Sequence, residues 1–161
     1  MRVAVIMGSK SDLSKVEPAI TILKEYGVNV DVRVFSAHRT PTELANFVNE
    51  ANINGTEVII AAAGMAAALP GVIASMSVLP VIGLPISGSN LDGMDALFSI
   101  VQMPPGIPVA TVAINGNKNA AYLALQIIAI KHQEIKEKLL AHRQVMKEDV
   151  LKANEEVSNK Y

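Results

Sequence analysis

Val3-Ala4-Val5-Ile6-Met7-Gly8-Ser9-Lys10-Ser11-Asp12 decides how this chain folds. Its first half is apolar at every position, which reads as a strand buried on both faces rather than one with a wet side. Gly8 stops the run, and the small polar residues after it open a helix. Leu13, Val16, Ile20, Leu23 and Tyr26 then recur at spacings of three and four, and Gly27 is a C-terminal stop. Pro18 falls inside this pattern and implies a kink or a later helix start.

The same unit repeats downstream. Val28 to Val34 alternates apolar and polar residues, the pattern of a strand with one polar face at or near a sheet edge. After it come Ser36-Ala37-His38-Arg39-Thr40-Pro41, with Thr40 placed as a helix cap and Pro41 as the first helical residue. Leu44, Phe47, Val48 and Ala51 form the buried stripe of that helix. Val58–Ala62, Val81–Leu84 and Val109–Ala113 read as three further strands, with helices at about 67–76, 94–101 and 119–130 between and after them. Alternating apolar strands and helices imply an α/β fold with a parallel sheet covered on both sides. The reading is one domain over residues 1–161, with an α/β core over 1–130 and a C-terminal helix and tail over 131–161. That helix runs from Gln133 to about Val157, with Ile135, Leu139, Met146, Val150 and Val157 near one stripe. It lies across the domain or reaches a neighbouring subunit, and its polar surroundings make His132 and His142 solvated helix residues.

Composition narrows the functional classes. There are no cysteines among the 161 residues, which excludes disulfides, thiolate catalysis and Cys-based metal sites. A net charge of -1 gives no electrostatic case for nucleic acid or a membrane surface. Half of the residues are hydrophobic and only 18% are charged, a balance that subunit contacts would relieve. Val58 to Leu91 carries no charge at all, yet Pro70, Pro80 and Pro85 interrupt any membrane-spanning helix. The expected setting is the cytoplasm, since Val3–Met7 is too short for a signal peptide; the Asn54-Gly55-Thr56 sequon is then accidental.

In an open parallel sheet, ligands sit outside the carboxyl ends of the strands. Four loops of this chain belong there: Gly8–Asp12, Ser36–Thr40, Ala63–Gly71 and Ser87–Gly93. The first offers backbone N–H groups and the hydroxyls of Ser9 and Ser11, which suit a phosphate but also serve ordinary helix capping. Asp12 would bind hydroxyls such as a ribose diol, or simply stabilise a helix start. In the second loop His38 can move a proton near neutral pH, and Arg39 presents a fork of donors matched to phosphate. The Ala-rich third loop forms either an apolar pocket with backbone donors or close packing of helix on sheet. Gly83 to Ser89 has the glycine spacing of a phosphate loop but a serine where its lysine belongs, and no GxGxxG follows a strand. An NTPase or NAD enzyme is therefore not expected, and since no His, Asp and Glu cluster has metal-ligand spacing, neither is a metal site.

Taken together, Met7–Asp12, Ser36–Pro41, Ala63–Gly71 and Ser99–Val112 resemble the PurE family of purine biosynthesis. The resemblance runs from Arg2 to about Ile130. It implies a flavodoxin-like three-layer sandwich with a five-stranded parallel sheet and an extra C-terminal helix, assembled as a homo-octamer without cofactor or metal. The implied reaction converts N5-carboxyaminoimidazole ribonucleotide into 4-carboxy-5-aminoimidazole ribonucleotide, a small phosphorylated substrate. His38 would be the general acid/base, with Ser9, Ser11, Asp12, Ser36, Ala37, Arg39, Gly64, Ala66 and Ala67 around the substrate. Arg39 and Leu69-Pro70-Gly71 match the bacterial-type mutase branch rather than the animal-type carboxylase. Many relatives have a histidine where this chain has Ala68, so any role of that second imidazole is absent. A flavodoxin-class mononucleotide-binding module and a phosphosugar isomerase remain as rival readings, the latter needing a second acid/base for which the rim offers Asp12 or Asp92.

Overall fold

A strand that is apolar at every position must be covered on both faces, and this chain does so by winding its helices to either side of one sheet. The computed structural model describes all 161 residues, Met1–Tyr161. Its elements are β1 (Arg2–Met7), a 3₁₀ turn (Lys10–Asp12), α1 (Leu13–Glu25), β2 (Asn29–Val34), α2 (Pro41–Ala51) and β3 (Val58–Gly64). They continue with α3 (Leu69–Met76), β4 (Val81–Ile86), α4 (Met94–Val101), β5 (Ala110–Thr111), α5 (Asn117–Ile128) and α6 (Gln133–Ser158). The strands form one sheet in the order β2-β1-β3-β4-β5, with every pairing parallel. This is the flavodoxin-like arrangement of the doubly wound α/β class.

The period of two along the strands divides the core. Val3, Val5 and Met7 of β1 and Val58, Ile60 and Ala62 of β3 face one side, where they pack with α1, α5 and the start of α6. Ala4, Ile6, Ile59, Ala61 and Ala63 face the other and pack with α2, α3 and α4. Each fully buried branched side chain matters: truncating one such as Ile60 to alanine costs about 2–5 kcal/mol through lost burial and the cavity left behind. β2 is exposed or half-buried along its length, as its alternation implies for an edge strand.

Several sequence expectations need correction. α1 begins at Leu13, after a 3₁₀ turn, and passes through Pro18 without ending. The carbonyl that Pro18 leaves without a partner belongs to Ser14, which is exposed to water. Leu13 is 39% exposed, and Ala19 takes its place in the buried stripe. β5 pairs over two residues only, short of the expected Val109–Ala113. Pro85 of β4 accepts from Asn115 N at 2.8 Å on the β5 side, so its nitrogen, which has no hydrogen, turns the same way and the ladder lapses. In α6 only Ile135 and Leu139 are buried, whereas Met146, Val150 and Val157 are exposed.

The two C-terminal histidines are not simply solvated. His132 Nε2 donates to Glu57 Oε1 at 2.8 Å, tying the start of α6 to the residue before β3. His142 stacks on Tyr122 of α5 with ring centroids 5.0 Å apart. The Asn54 side chain accepts from both Thr56 N and Thr56 Oγ1, so the sequon is a closed turn through Gly55 at φ +85°.

Candidate functional site

The strand order reverses direction between β1 and β3. α1 leaves β1 over one face of the sheet and α2 enters β3 over the other, which opens a crevice at the carboxyl ends of these two strands. The register sets their ends level, Met7 beside both Val34 and Ala62, and Gly64 beside Ile86. The first three rim loops therefore start at the same height.

In the first loop the turn from strand to helix is closed by side chains. Ser9 caps the 3₁₀ turn, its Oγ accepting from Ser11 N at 3.3 Å and from Ser11 Oγ at 2.8 Å. Ser11 Oγ also lies 3.4 Å from Asp12 Oδ1. Burial pushes the Asp12 carboxyl above its ordinary value of 3.8, against a backbone N–H at Ser9, the Ser11 hydroxyl and the Lys15 charge, which all favour the ionised form. Burial wins, so the carboxylate is held ready at a cost.

The second loop is bound to the first. Arg39 Nη2 donates to Gly8 O at 3.2 Å, and Gly8 N in turn donates to Ala62 O at 3.1 Å. Thr40 does not cap α2 with its side chain. Its hydroxyl instead donates to Ser36 O at 3.2 Å and accepts from Ser36 N at 2.9 Å, while Ser36 Oγ accepts from Arg39 N at 3.3 Å. The loop is thus closed on itself around half-buried Ser36 and Ala37, with His38 and Arg39 presented outward and exposed.

The third loop turns at Met65, a non-glycine residue at φ +55° and 65% exposed. Ala66 is exposed too. Ala67 is 4% exposed, packs in the core and spends its N–H on Gly64 O at 3.2 Å, so its part at a site is confined to shaping the floor. A Cβ at Gly64 would crowd Ile86 O at 3.2 Å, a tight contact with the backbone of the neighbouring strand.

Sequence reasoning passed over the group that joins the first loop to the fourth. Lys15 Nζ donates to Ser87 O at 2.6 Å and to Ser87 Oγ at 3.2 Å. Its one signal in the sequence is a cation in the first turn of a helix, where the dipole disfavours it. A separate concavity of about 910 Å³, lined by Asn52, Ala74–Val81, Gly106–Pro108 and Ala110, lies near the start of β4, at the other end of the strands from these loops. No three His, Asp or Glu side chains converge anywhere in the chain, and no helix is long and apolar enough to cross a membrane.

The model of the family described as AIR carboxylase matches residues 2–149. The chain belongs to that family. A relative from Saccharolobus solfataricus is 54% identical over 150 residues, spanning 93% of this chain and 95% of its own length. Another, from Methanocaldococcus jannaschii, is 50% identical over 159 residues and 99% of both chains. Both carry the name N5-carboxyaminoimidazole ribonucleotide mutase. Among solved structures, Treponema denticola PurE superposes with a TM-score of 0.86 at 28% identity, over 94% of each chain.

The raised pKa of Asp12 has a consequence for stability. A carboxyl whose folded pKa lies above the unfolded one favours folding while protonated, and that contribution is lost as pH rises through the folded value. Asp12→Asn should therefore make the ligand-free protein more stable than wild type at pH 7, with the gap closing below about pH 4. Urea melts across that range check it, and a gap that is absent at neutral pH contradicts the burial cost.

Proposed function

We propose that the chain is a 5-(carboxyamino)imidazole ribonucleotide mutase, an isomerase of purine biosynthesis, acting from the crevice at the carboxyl ends of β1 and β3. The observation that carries this reading is identity of half or more, over nearly the whole chain, with proteins of that name. Arg39 beside His38, together with Leu69-Pro70-Gly71, supports the bacterial-type branch, which moves an N-carboxylate within the substrate rather than taking up carbon dioxide directly.

The net change is an isomerisation. The bond from the exocyclic nitrogen to the carboxyl carbon breaks, carbon dioxide is released into the pocket, and ring carbon C4 attacks it. The proton that C4 loses goes to the nitrogen, so atoms and charge balance without a redox partner or cofactor. His38 carries that proton, since an imidazole can take it at one step and give it back at the next. Arg39 and the hydroxyls of Ser9, Ser11 and Ser36 hold the phosphate, and Asp12 takes the ribose hydroxyls. Ala37, Gly64, Ala66 and Ala67 shape a small apolar floor for the ring and the gas, where side chains would leave no space. With Ala68 at the position where many relatives have a second histidine, the proton transfer rests on His38 alone.

A single chain leaves His38 and Arg39 exposed, although a gas intermediate must be kept from solvent. The enclosure comes from other copies of this chain in a homo-octamer. The apolar side chains of Met65, Leu91 and Met94 near the rim, of Phe98 and Val101 further along α4, and the outer stripe of α6 are the surfaces available for it. Residues 1–161 act as one domain in a cytoplasmic enzyme, with 131–161 making contacts between subunits. Light scattering should give a mass near eight subunits, and a monomer at assay concentration would contradict the enclosure.

His38→Asn should bind aminoimidazole ribonucleotide about as well as wild type while kcat falls by roughly a thousandfold. Arg39→Ala should act mainly on KM, raising it by about tenfold or more. An absorbance assay with the N5-carboxylated ribonucleotide reads both; a His38→Asn enzyme with wild-type turnover removes the imidazole from the reaction.

A further inference from the structure

Lys15 breaks a local rule. It lies in the first turn of α1, where the positive end of the helix dipole opposes a cation, and that turn holds no acidic residue. Neither of the chain's two ion pairs includes it. Features placed against local preference tend to mark function rather than folding. What Lys15 holds is on the far side of the crevice: the carbonyl and hydroxyl of Ser87, the first residue beyond β4.

Asn115 grips the same residue from the other direction. Its Oδ1 accepts from Ser87 N at 3.1 Å and its Nδ2 donates to Ser87 Oγ at 2.8 Å, from a backbone at φ +54°. Asn117 Nδ2 donates to Lys15 O at 2.6 Å and so fixes the base of the lysine as well. Every polar atom of Ser87 is therefore engaged by Lys15 or Asn115. The hydroxyl accepts both of its bonds, and its own hydrogen has no acceptor in the protein. The loop that follows needs such an anchor, because Gly88, Asp92 and Gly93 all have positive φ. Its only other side-chain ties are Ser89 Oγ, which donates to Asp95 Oδ1 at 2.9 Å and accepts from Leu91 N at 3.2 Å.

We propose that Lys15 is a positioning residue for substrate binding: with Asn115 it fixes Ser87 so that the Ser87 hydroxyl and the fourth rim loop meet the phosphorylated substrate held by the first loop. This rests on the mutase reading. The ammonium reaches Ser87 from the helix that Asp12 begins and lies beside Gly88, where a Cβ would be in ordinary contact with Lys15 Nζ at 3.6 Å. The first and fourth loops thereby become one binding surface across the end of β3.

The test uses the full-length protein and compares Lys15→Met, Lys15→Arg, Asn115→Gly and the Lys15→Met/Asn115→Gly pair. Glycine at 115 keeps the left-handed backbone and removes the grip on Ser87 without changing charge. Lys15→Met and Asn115→Gly should each raise KM about tenfold with kcat changed less than about threefold, and Lys15→Arg should recover part of the loss. The double variant should be no worse than the poorer single one, because both act through one residue. Without substrate, amide hydrogen exchange at residues 87–93 should speed up in both single variants. Wild-type KM in both, or unchanged exchange at 87–93, overturns the proposal. An additive double variant does so too, by showing that Lys15 acts on the substrate without Ser87. If Lys15→Met does not fold, Asn115→Gly decides alone. A wild-type protein that fails to convert the substrate would defeat the mutase reading, and the exchange comparison would still decide whether Lys15 holds the loop.

Discussion

The parallel pairing of β1 with β3 is the constraint on which the other features of this protein depend. Beyond half-buried Arg2 at the start of β1, both strands are apolar and buried on both faces, so the groups capable of chemistry lie in the loops beyond their ends. Since α1 and α2 depart over opposite faces, the carboxyl ends of these two strands are the one place where neighbouring loops separate. Backbone N–H groups, hydroxyls and the His38-Arg39 pair collect around that opening. The hydrogen bond from Arg39 to Gly8 and that from Gly8 to Ala62 then join the three central loops into one rim.

Stability and function pull apart at that rim. Asp12 is kept partly buried without a neutralising ion pair, Met65 is turned into a left-handed conformation, and Lys15 stands against a helix dipole. Each is unfavourable for the free protein and intelligible if an anionic, hydroxylated ligand fills the crevice. The outer surface shows a similar tension. Phe98, Met94 and Val101 lie exposed along α4, and the second half of α6 leaves the domain with its apolar residues uncovered. A chain with half of its residues hydrophobic spends the excess on surfaces of this kind.

The elements built on long apolar periodicity were legible in the residues. β1, β3, β4 and the buried stripe of α2 follow from Val3–Met7, Val58–Ala62, Val81–Leu84 and Leu44, Phe47, Val48 and Ala51. What escaped depends on contacts distant in sequence. β5 is short because Pro85 on the neighbouring strand lacks a hydrogen, which the residues around Val109 do not reveal. Thr40 looks like a cap and serves the Ser36 loop instead; His132 and His142 look solvated and dock onto Glu57 and Tyr122. The candidate site was legible where one loop contains both partners, as in Ser9 with Ser11. It was hidden where, as with Lys15 and Ser87, the partners are far apart in the chain.

The central claim is that the ligand occupies the crevice at the carboxyl ends of β1 and β3, across all four rim loops. Amide hydrogen exchange of the wild-type protein with and without aminoimidazole ribonucleotide tests it most directly. Protection should appear together at residues 8–12, 36–40, 64–68 and 87–93. Protection confined to 74–81 and 106–110, around the concavity near the start of β4, would contradict it.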